Sequence, residues 1–90
     1  MASLAEQLLA LASAIDARRP DADIAALLQQ VSRLCERASA AERSAAVRET
    51  LTRVQRATQA WQQVWHRLSE DREFRLAVAR EARLWSRRLA

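Results

Sequence analysis

The longest apolar pattern in this sequence runs through residues 47–68, VRETLTRVQRATQAWQQVWHRL. Its apolar positions, together with one threonine, recur at alternating steps of four and three residues. They are Val47, Leu51, Val54, Thr58, Trp61, Trp65 and Leu68. Such steps keep side chains on one face of an α-helix, and a heptad repeat forms a coiled-coil-like seam against other helices. The segment therefore predicts a long amphipathic helix, with Val64 widening its apolar face near the end.

The start of this helix is predicted from a capping box at residues 39–42. Ser39 and Glu42 have the spacing at which a hydroxyl and a carboxylate satisfy free amides at a helix N-terminus. We therefore expect the long helix to cover about residues 40–68.

Two shorter amphipathic segments precede it. The first has a capping box at Ser3–Glu6, and it is expected to end near Arg18 because Pro20 cannot continue a helix. The second has Asp21 as its predicted N-cap. Its apolar face comprises Ile24, Leu27, Leu28, Val31, Leu34 and Cys35. These patterns predict helices over about residues 4–18 and 21–38, joined as an antiparallel hairpin.

A new apolar stripe begins after the long helix. It consists of Phe74, Val78, Ala82, Trp85 and Leu89, and it is rotated from the preceding seam. Ser69 followed by acidic residues resembles a helix cap with first-turn acids, which favours a break and a fourth helix over about residues 70–89. The alternative is one continuous helix that presents a second apolar face.

The composition supports helices throughout. The 90 residues include no Gly, no Asn and a single Pro, so tight hairpin turns that need positive φ are difficult to build. Ala, Leu, Arg, Gln and Glu are abundant, and these residues have high helix propensity. The expected fold is therefore all-α: one domain over residues 1–90, with a helical hairpin and a long third helix in a three- or four-helix bundle.

No pattern of a catalytic or metal-binding site is present. Phosphate-binding loops need Gly, and a zinc site needs three or four ligands, whereas this chain has one Cys and one His. His66 is interpreted as a solvated residue, and Cys35 as a small hydrophobic residue and not as a reactive thiol. We expect no enzyme activity and no cofactor.

Aromatic and apolar residues of the C-terminal half are candidates for partner binding. Trp is common both in small cores and at interface hot spots, so core packing and docking both remain open for these residues. The candidates are Phe74, Val78, Trp85, Leu89, Trp61 and Trp65. Those on the rotated stripe are the better interface candidates, because two stripes exceed what a short bundle is expected to bury.

The last segment also has a predicted basic face. It comprises Arg72, Arg75, Arg80, Arg83 and Arg87. A basic amphipathic helix can bind an acidic partner, nucleic acid or an anionic membrane surface. Interleaved acids, with Asp71 and Arg75 at i,i+4 spacing, favour instead a solvated face held by ion pairs.

The sequence thus predicts a small helical protein-protein interaction module: an adaptor, a chaperone-like subunit or a self-assembling dimer. The alternative is a basic, nucleic-acid-associated regulator that binds through the C-terminal arginines. The expected location is the cytoplasm, because no apolar run is long enough to span a membrane and the N-terminal segment lacks the basic residues of a signal peptide.

Overall fold

A computed structural model of the chain describes residues 3–90. It contains four α-helices and no strand within that range, which confirms the all-α prediction. The helices are α1 (Leu4–Asp16), α2 (Asp21–Ala41), α3 (Ala45–Leu68) and α4 (Arg72–Leu89). None of these helices combines the length and apolar character that crossing a membrane requires.

The helices form an elongated bundle of 39 × 21 × 21 Å. The most extensive helix pairs are α2 with α3 and α1 with α4. α1 packs less extensively on α2, and the backbones of α3 and α4 approach each other at few positions. α1 and α4 are antiparallel, since Ser86 bonds to Ala5 at one end and Arg75 bonds to Ile15 at the other. One apolar core, which includes Leu11, Leu28, Val54 and Val78, runs between all four helices.

The turn after α1 requires an unusual backbone conformation. The amide of Arg18 donates to the carbonyl of Ile15, and the amide of Arg19 donates to that of Ala14. This hydrogen-bond pair defines a Schellman motif, whose central residue adopts the left-handed region. Since the chain has no Gly, Arg18 occupies this position with φ of 54°. The helix ends at Asp16, two residues before the predicted end.

The start of α2 differs from the prediction in its cap. Pro20 is the N-cap residue, with no side-chain capping hydrogen bond, and Asp21 is the first helical residue. The carboxylate of Asp21 instead accepts from the indole nitrogen of Trp65 at 3.3 Å. Asp21 therefore contributes negative charge to the first turn and connects α2 to α3, but it does not cap the helix.

The predicted capping box at Ser39–Glu42 is wrong. α2 continues through Ser39 to Ala41, and the N-cap of α3 is Ser44, whose hydroxyl accepts from the amide of Val47. Glu42 serves the turn itself, because its carboxylate accepts from the amides of Arg43 and Ser44 at 3.0 Å. The third helix consequently begins at residue 45 and not near residue 40.

The helical segment is interrupted between α3 and α4, as the sequence predicted. α3 ends at Leu68, Ser69 lies at its C-terminus, and the N-cap of α4 is Asp71, whose carboxylate accepts from the amide of Phe74 at 2.8 Å. Ser69 is buried and so does not provide the predicted cap. The fourth helix begins at Arg72.

Large aromatic side chains occupy the space between α3 and α4. The rings of Trp61 and Trp85 lie 5.9 Å apart, and those of Trp65 and Phe74 lie 5.6 Å apart. Tilted aromatic pairs at such distances are favourable. They span a helix pair whose backbones approach closely at few positions, so the aromatic layer completes the bundle.

Candidate functional site

The rotated stripe of α4 packs into the bundle. Val78 and Ala82 are fully buried, and Phe74, Trp85 and Leu89 are half-buried against the same core that α1, α2 and α3 share. The two stripes were expected to exceed what one short bundle buries, but both pack against one core, and the larger side chains at its edge stay partly exposed. The rotation between them is accounted for by the break at residues 69–71, which turns the apolar face of α4 towards α1.

The two tryptophans of α3 have core positions as well. Trp65 is buried, and its indole nitrogen donates to Asp21, so its polar atom is satisfied within the fold. Trp61 is half-buried and packs against the core. The aromatic candidates thus form one layer inside the bundle, with only partial exposure at its edge.

Arg75 does not belong to the basic face. Its side chain is only 7% exposed, and its guanidinium donates to the carbonyls of Ser69 at 2.6 Å and Ile15 at 2.8 Å. It also lies 5.4 Å from the centre of the Trp65 ring, a cation–π distance. The expected Asp71–Arg75 ion pair is not formed. Arg75 instead connects α4 with the ends of α1 and α3.

The other four predicted arginines lie on the outside of α4. Arg72, Arg80 and Arg87 are exposed, whereas Arg83 is half-buried and pairs with Asp16 of α1. The Asp16–Arg83 pair thus crosses the α1–α4 boundary at the surface.

Two exposed leucines accompany these arginines, and sequence reasoning did not single them out. Leu76 is 56% exposed and lies one turn from both Arg72 and Arg80. Leu9 is 50% exposed and precedes Asp16 by two helical turns, on the same side of α1. The signal was available, because Leu76 falls outside the apolar stripe of α4. Leu9 likewise falls outside the buried face of α1, which includes Leu8, Leu11 and Ile15.

Together these residues form a surface that we call the α1–α4 outer face. It consists of Leu9, Asp16, Arg72, Leu76, Arg80, Arg83 and Arg87. α4 has six arginines and two glutamates, an excess of four positive charges that equals the formal net charge of +4 for the whole chain. The outer face itself contains four of these arginines and Asp16, so it combines exposed aliphatic groups with a formal charge of +3.

The boundary beneath this face is held by polar contacts. The Ser86 hydroxyl donates to the carbonyl of Ala5 at 2.7 Å, and the Arg75 guanidinium donates to the carbonyl of Ile15. Hydrogen bonds to main-chain carbonyls fix both the register and the distance of two helices. The outer face is thus presented by a helix pair of defined geometry.

The remaining chemically distinctive side chains lie elsewhere. Burial raises the pKa of the Cys35 thiol from 9.0 to about 12, so the thiolate form is disfavoured. His66 is exposed on α3. Among residues 3–90, no three His, Cys, Asp or Glu side chains are grouped as metal ligands would be.

Comparison of the chain with protein-family models, with curated proteins and with solved structures gives no match in any of the three.

Proposed function

We propose that this protein is a non-catalytic, cytoplasmic protein-protein interaction module whose α1–α4 outer face binds an acidic, amphipathic segment of another protein. The observation that carries the proposal is Leu76, a leucine more than half exposed on the most basic helix of the chain. Covering an exposed leucine removes apolar surface from water, which stabilises a complex. The surrounding arginines favour a partner with carboxylates.

The chemistry of the face favours an acidic partner over an apolar one. Arg72, Arg80 and Arg87 lie at intervals of seven or eight residues, so they follow one side of α4 for about four turns. A helix with carboxylates along one edge and aliphatic groups beside them matches that arrangement, which is a known mode of helix recognition. Two leucines provide a small apolar area, and we therefore expect a transient complex.

The same charges disfavour a homodimer through this face. A two-fold symmetric interface brings the same surface of both copies together. Arginines along α4 would then oppose one another, and such like-charge contacts are costly. The sequence suggested self-assembly because it has two apolar stripes, but both stripes pack within a single chain. A second protein is for these reasons the preferred occupant, and a second copy is an outcome of the test.

Nucleic acid is the other candidate ligand for the arginines. Binding to a nucleic-acid backbone relies mainly on cations, whereas the outer face also exposes Leu9 and Leu76 and contains Asp16. Exposed aliphatic side chains add nothing to contacts with a phosphate backbone. The protein partner therefore accounts for more of the surface.

The experiment is a selection from a random peptide display library against the immobilised protein. We expect enriched peptides that combine acidic and aliphatic residues at helical spacing. Their affinity should fall about tenfold or more for Leu76→Glu, as for an interface anchor. Val47→Glu is the matched control, since Val47 is 37% exposed and lies on α3, which contributes no residue to the outer face.

A second variant pair tests the charges. Arg80→Glu with Arg87→Glu should abolish peptide binding, whereas Arg33→Glu with Arg37→Glu, on exposed positions of α2, should leave it unchanged. Absence of enrichment above the bare matrix, or equal loss in both charge variants, would overturn the proposal. Saturable binding of a 20-base-pair DNA duplex that depends on Arg80 and Arg87 would favour nucleic acid instead. Dimerisation detected by sedimentation and lost in Leu76→Glu would favour a second copy.

A further inference from the structure

A small cleft opens at the end of the α1–α4 pair where α1 finishes and α4 begins. Its volume is about 200 Å³. The residues that line it are Ile15, Asp16, Arg18, Arg72, Arg75 and Leu76. Three of these six are arginines, and each comes from a different local structure: the turn after α1, the first turn of α4 and the buried side of α4.

The turn geometry brings Arg18 to the cleft. The Schellman motif holds Arg18 in the left-handed conformation directly after α1. Arg72 is the first residue of α4, and it reaches the same cleft because the antiparallel packing places the start of α4 beside the end of α1. Two arginines that are far apart in the sequence thus lie around one small space.

Arg75 contributes a buried positive charge. A guanidinium has five N–H donors, and the two hydrogen bonds to Ser69 and Ile15 use two of them. Within residues 3–90, Arg75 forms no ion pair with a carboxylate; its other neighbour is the ring of Trp65. A buried charge is costly unless an opposite charge compensates it, so this position favours an incoming anion.

The carboxylates near the cleft either have other partners or pair only weakly with its arginines. Asp16 pairs with Arg83 at the surface. Glu70 approaches Arg18 at 3.7 Å, but both side chains are largely exposed, and such surface pairs contribute little. The side chain of Asp71 caps α4, so the helix N-terminus itself is satisfied and the attraction for an anion comes from the arginines.

We propose that this cleft binds one oxyanion group, a carboxylate or a phosphate, held by Arg18, Arg72 and Arg75. The volume has room for several water molecules, at about 30 Å³ each, and therefore for one such group. Planar guanidinium groups bind both kinds of oxyanion through paired N–H donors. Leu76 and Ile15 form the apolar part of the lining. The cleft shares Asp16, Arg72 and Leu76 with the outer face, but its binding of a free oxyanion does not require that face to bind a protein.

The test uses inorganic phosphate and acetate as separate probes, each at constant ionic strength balanced with chloride. Backbone amide and arginine Nε–Hε resonances are followed by ¹⁵N NMR. We expect saturable shifts confined to the cleft, including Ile15, Arg75 and Leu76. Saturation with both probes identifies a general oxyanion site; saturation with phosphate alone, or with acetate alone, assigns the site to that one ligand class.

Matched double variants separate this site from diffuse attraction. Arg18→Gln with Arg72→Gln removes two charges from the cleft, and it should weaken binding about tenfold or more. Arg80→Gln with Arg87→Gln removes two charges from α4 outside the cleft, and it should leave the affinity within about twofold. All four side chains are exposed, so both variants should fold. Shifts that remain linear in anion concentration, or equal weakening in both variants, would overturn the proposal.

The two proposals fail separately. Loss of peptide binding in Arg80→Glu with Arg87→Glu, while phosphate still saturates the cleft, would support both. Saturation of the cleft without any selected peptide would remove the proposed function alone.

Discussion

The α2–α3 pair and the α1–α4 pair differ in where they place polar and apolar side chains. Between α2 and α3, aliphatic residues such as Leu28 and Val54 are buried, and the one buried hydroxyl, on Thr58, donates to a carbonyl of its own helix. Between α1 and α4, Arg75 and Ser86 are buried and cross-bonded, while Leu9 and Leu76 remain exposed.

This difference distinguishes a helix pair joined mainly by apolar packing from one joined by hydrogen bonds between its helices. In α2–α3 the buried residues are mainly aliphatic, and the Trp65–Asp21 hydrogen bond satisfies the indole nitrogen, as expected for a segment that holds the fold together. A helix pair in which one buried cation and two exposed leucines coexist departs from that pattern, and such departures concentrate at functional sites. The comparison therefore directs attention to α1–α4, where both proposed binding regions lie.

The largest expected effect is in the α2–α3 pair. Leu28→Ala removes a fully buried side chain, and it should lower the free energy of unfolding by about 2–5 kcal/mol. Leu76→Ala makes the same chemical change on an exposed position of α4, and it should change stability by about 0.5 kcal/mol or less. Urea denaturation followed by circular dichroism measures both. Similar losses in the two variants would mean that Leu76 packs as a core residue.

The second prediction concerns the buried cation of the α1–α4 pair. Arg75→Met keeps a long side chain but removes the donors to Ile15 and Ser69. Since hydrogen bonds from charged groups contribute about 1.5–3 kcal/mol, a loss of that order is expected in the same urea experiment. Arg80→Met, on the exposed side of α4, is the control and should have little effect. An unchanged unfolding midpoint for Arg75→Met would show that these bonds add nothing to stability.

A smaller effect is expected for the second cross-helix bond. Ser86→Ala removes the hydroxyl that donates to Ala5, at a cost of about 1 kcal/mol. Ser13→Ala, on the exposed side of α1, makes the same change without loss of a cross-helix bond. Amide hydrogen exchange in α1 should accelerate in the first variant only. Equal exchange rates in both would contradict the role given to Ser86.

The last prediction concerns the Cys35 thiol, whose titration should change the free energy of unfolding in alkaline solution and not at neutral pH. Between pH 9.0 and about 12, the folded protein keeps the Cys35 proton that the unfolded chain releases. The free energy of unfolding should therefore fall as the pH rises through this window. The chain has no Tyr and no Lys, so Cys35 is the side chain that titrates there.

Cys35→Ala provides the comparison for this pH dependence. The variant lacks the titrating thiol, and its stability should be nearly independent of pH between about 9 and 11. Urea titrations at several pH values measure the slope in both proteins. An equal slope in Cys35→Ala would assign the alkaline loss of stability to another cause.

The fold class was predictable because the spacing of apolar residues and the composition both favour helices along most of the chain. Every predicted helix exists, since the apolar stripes of residues 4–15, 24–35, 47–68 and 74–89 are long and regular. The boundary between α2 and α3 was not predictable from the sequence. The stretch around it is rich in Ala, which favours helix throughout, and two serines there could each cap α3. Ser39 has the Glu at the capping-box position, but Ser44 is the residue that caps.

The candidate site was only partly predictable. The basic residues of α4 were identified, but their separation into exposed arginines and one buried arginine depends on how α4 packs on α1. Arg75 lies next to the apolar stripe, and its partners are carbonyls of Ile15 and Ser69, which no side-chain pattern reveals. The cleft involves Arg18 through a turn whose left-handed residue is normally Gly or Asn.

The hydrogen bonds that join α1 to α4 connect the two ends of the chain. They link residues that are 60, 67 and 81 positions apart, far more than any contact within a hairpin of neighbouring helices. Closing a loop of that length carries a larger entropic cost than closing the short turns between consecutive helices. The contacts between α1 and α4 should consequently form after the local hairpins during folding. An anion bound to arginines at the end of α1 and the start of α4 would then slow unfolding of the whole bundle.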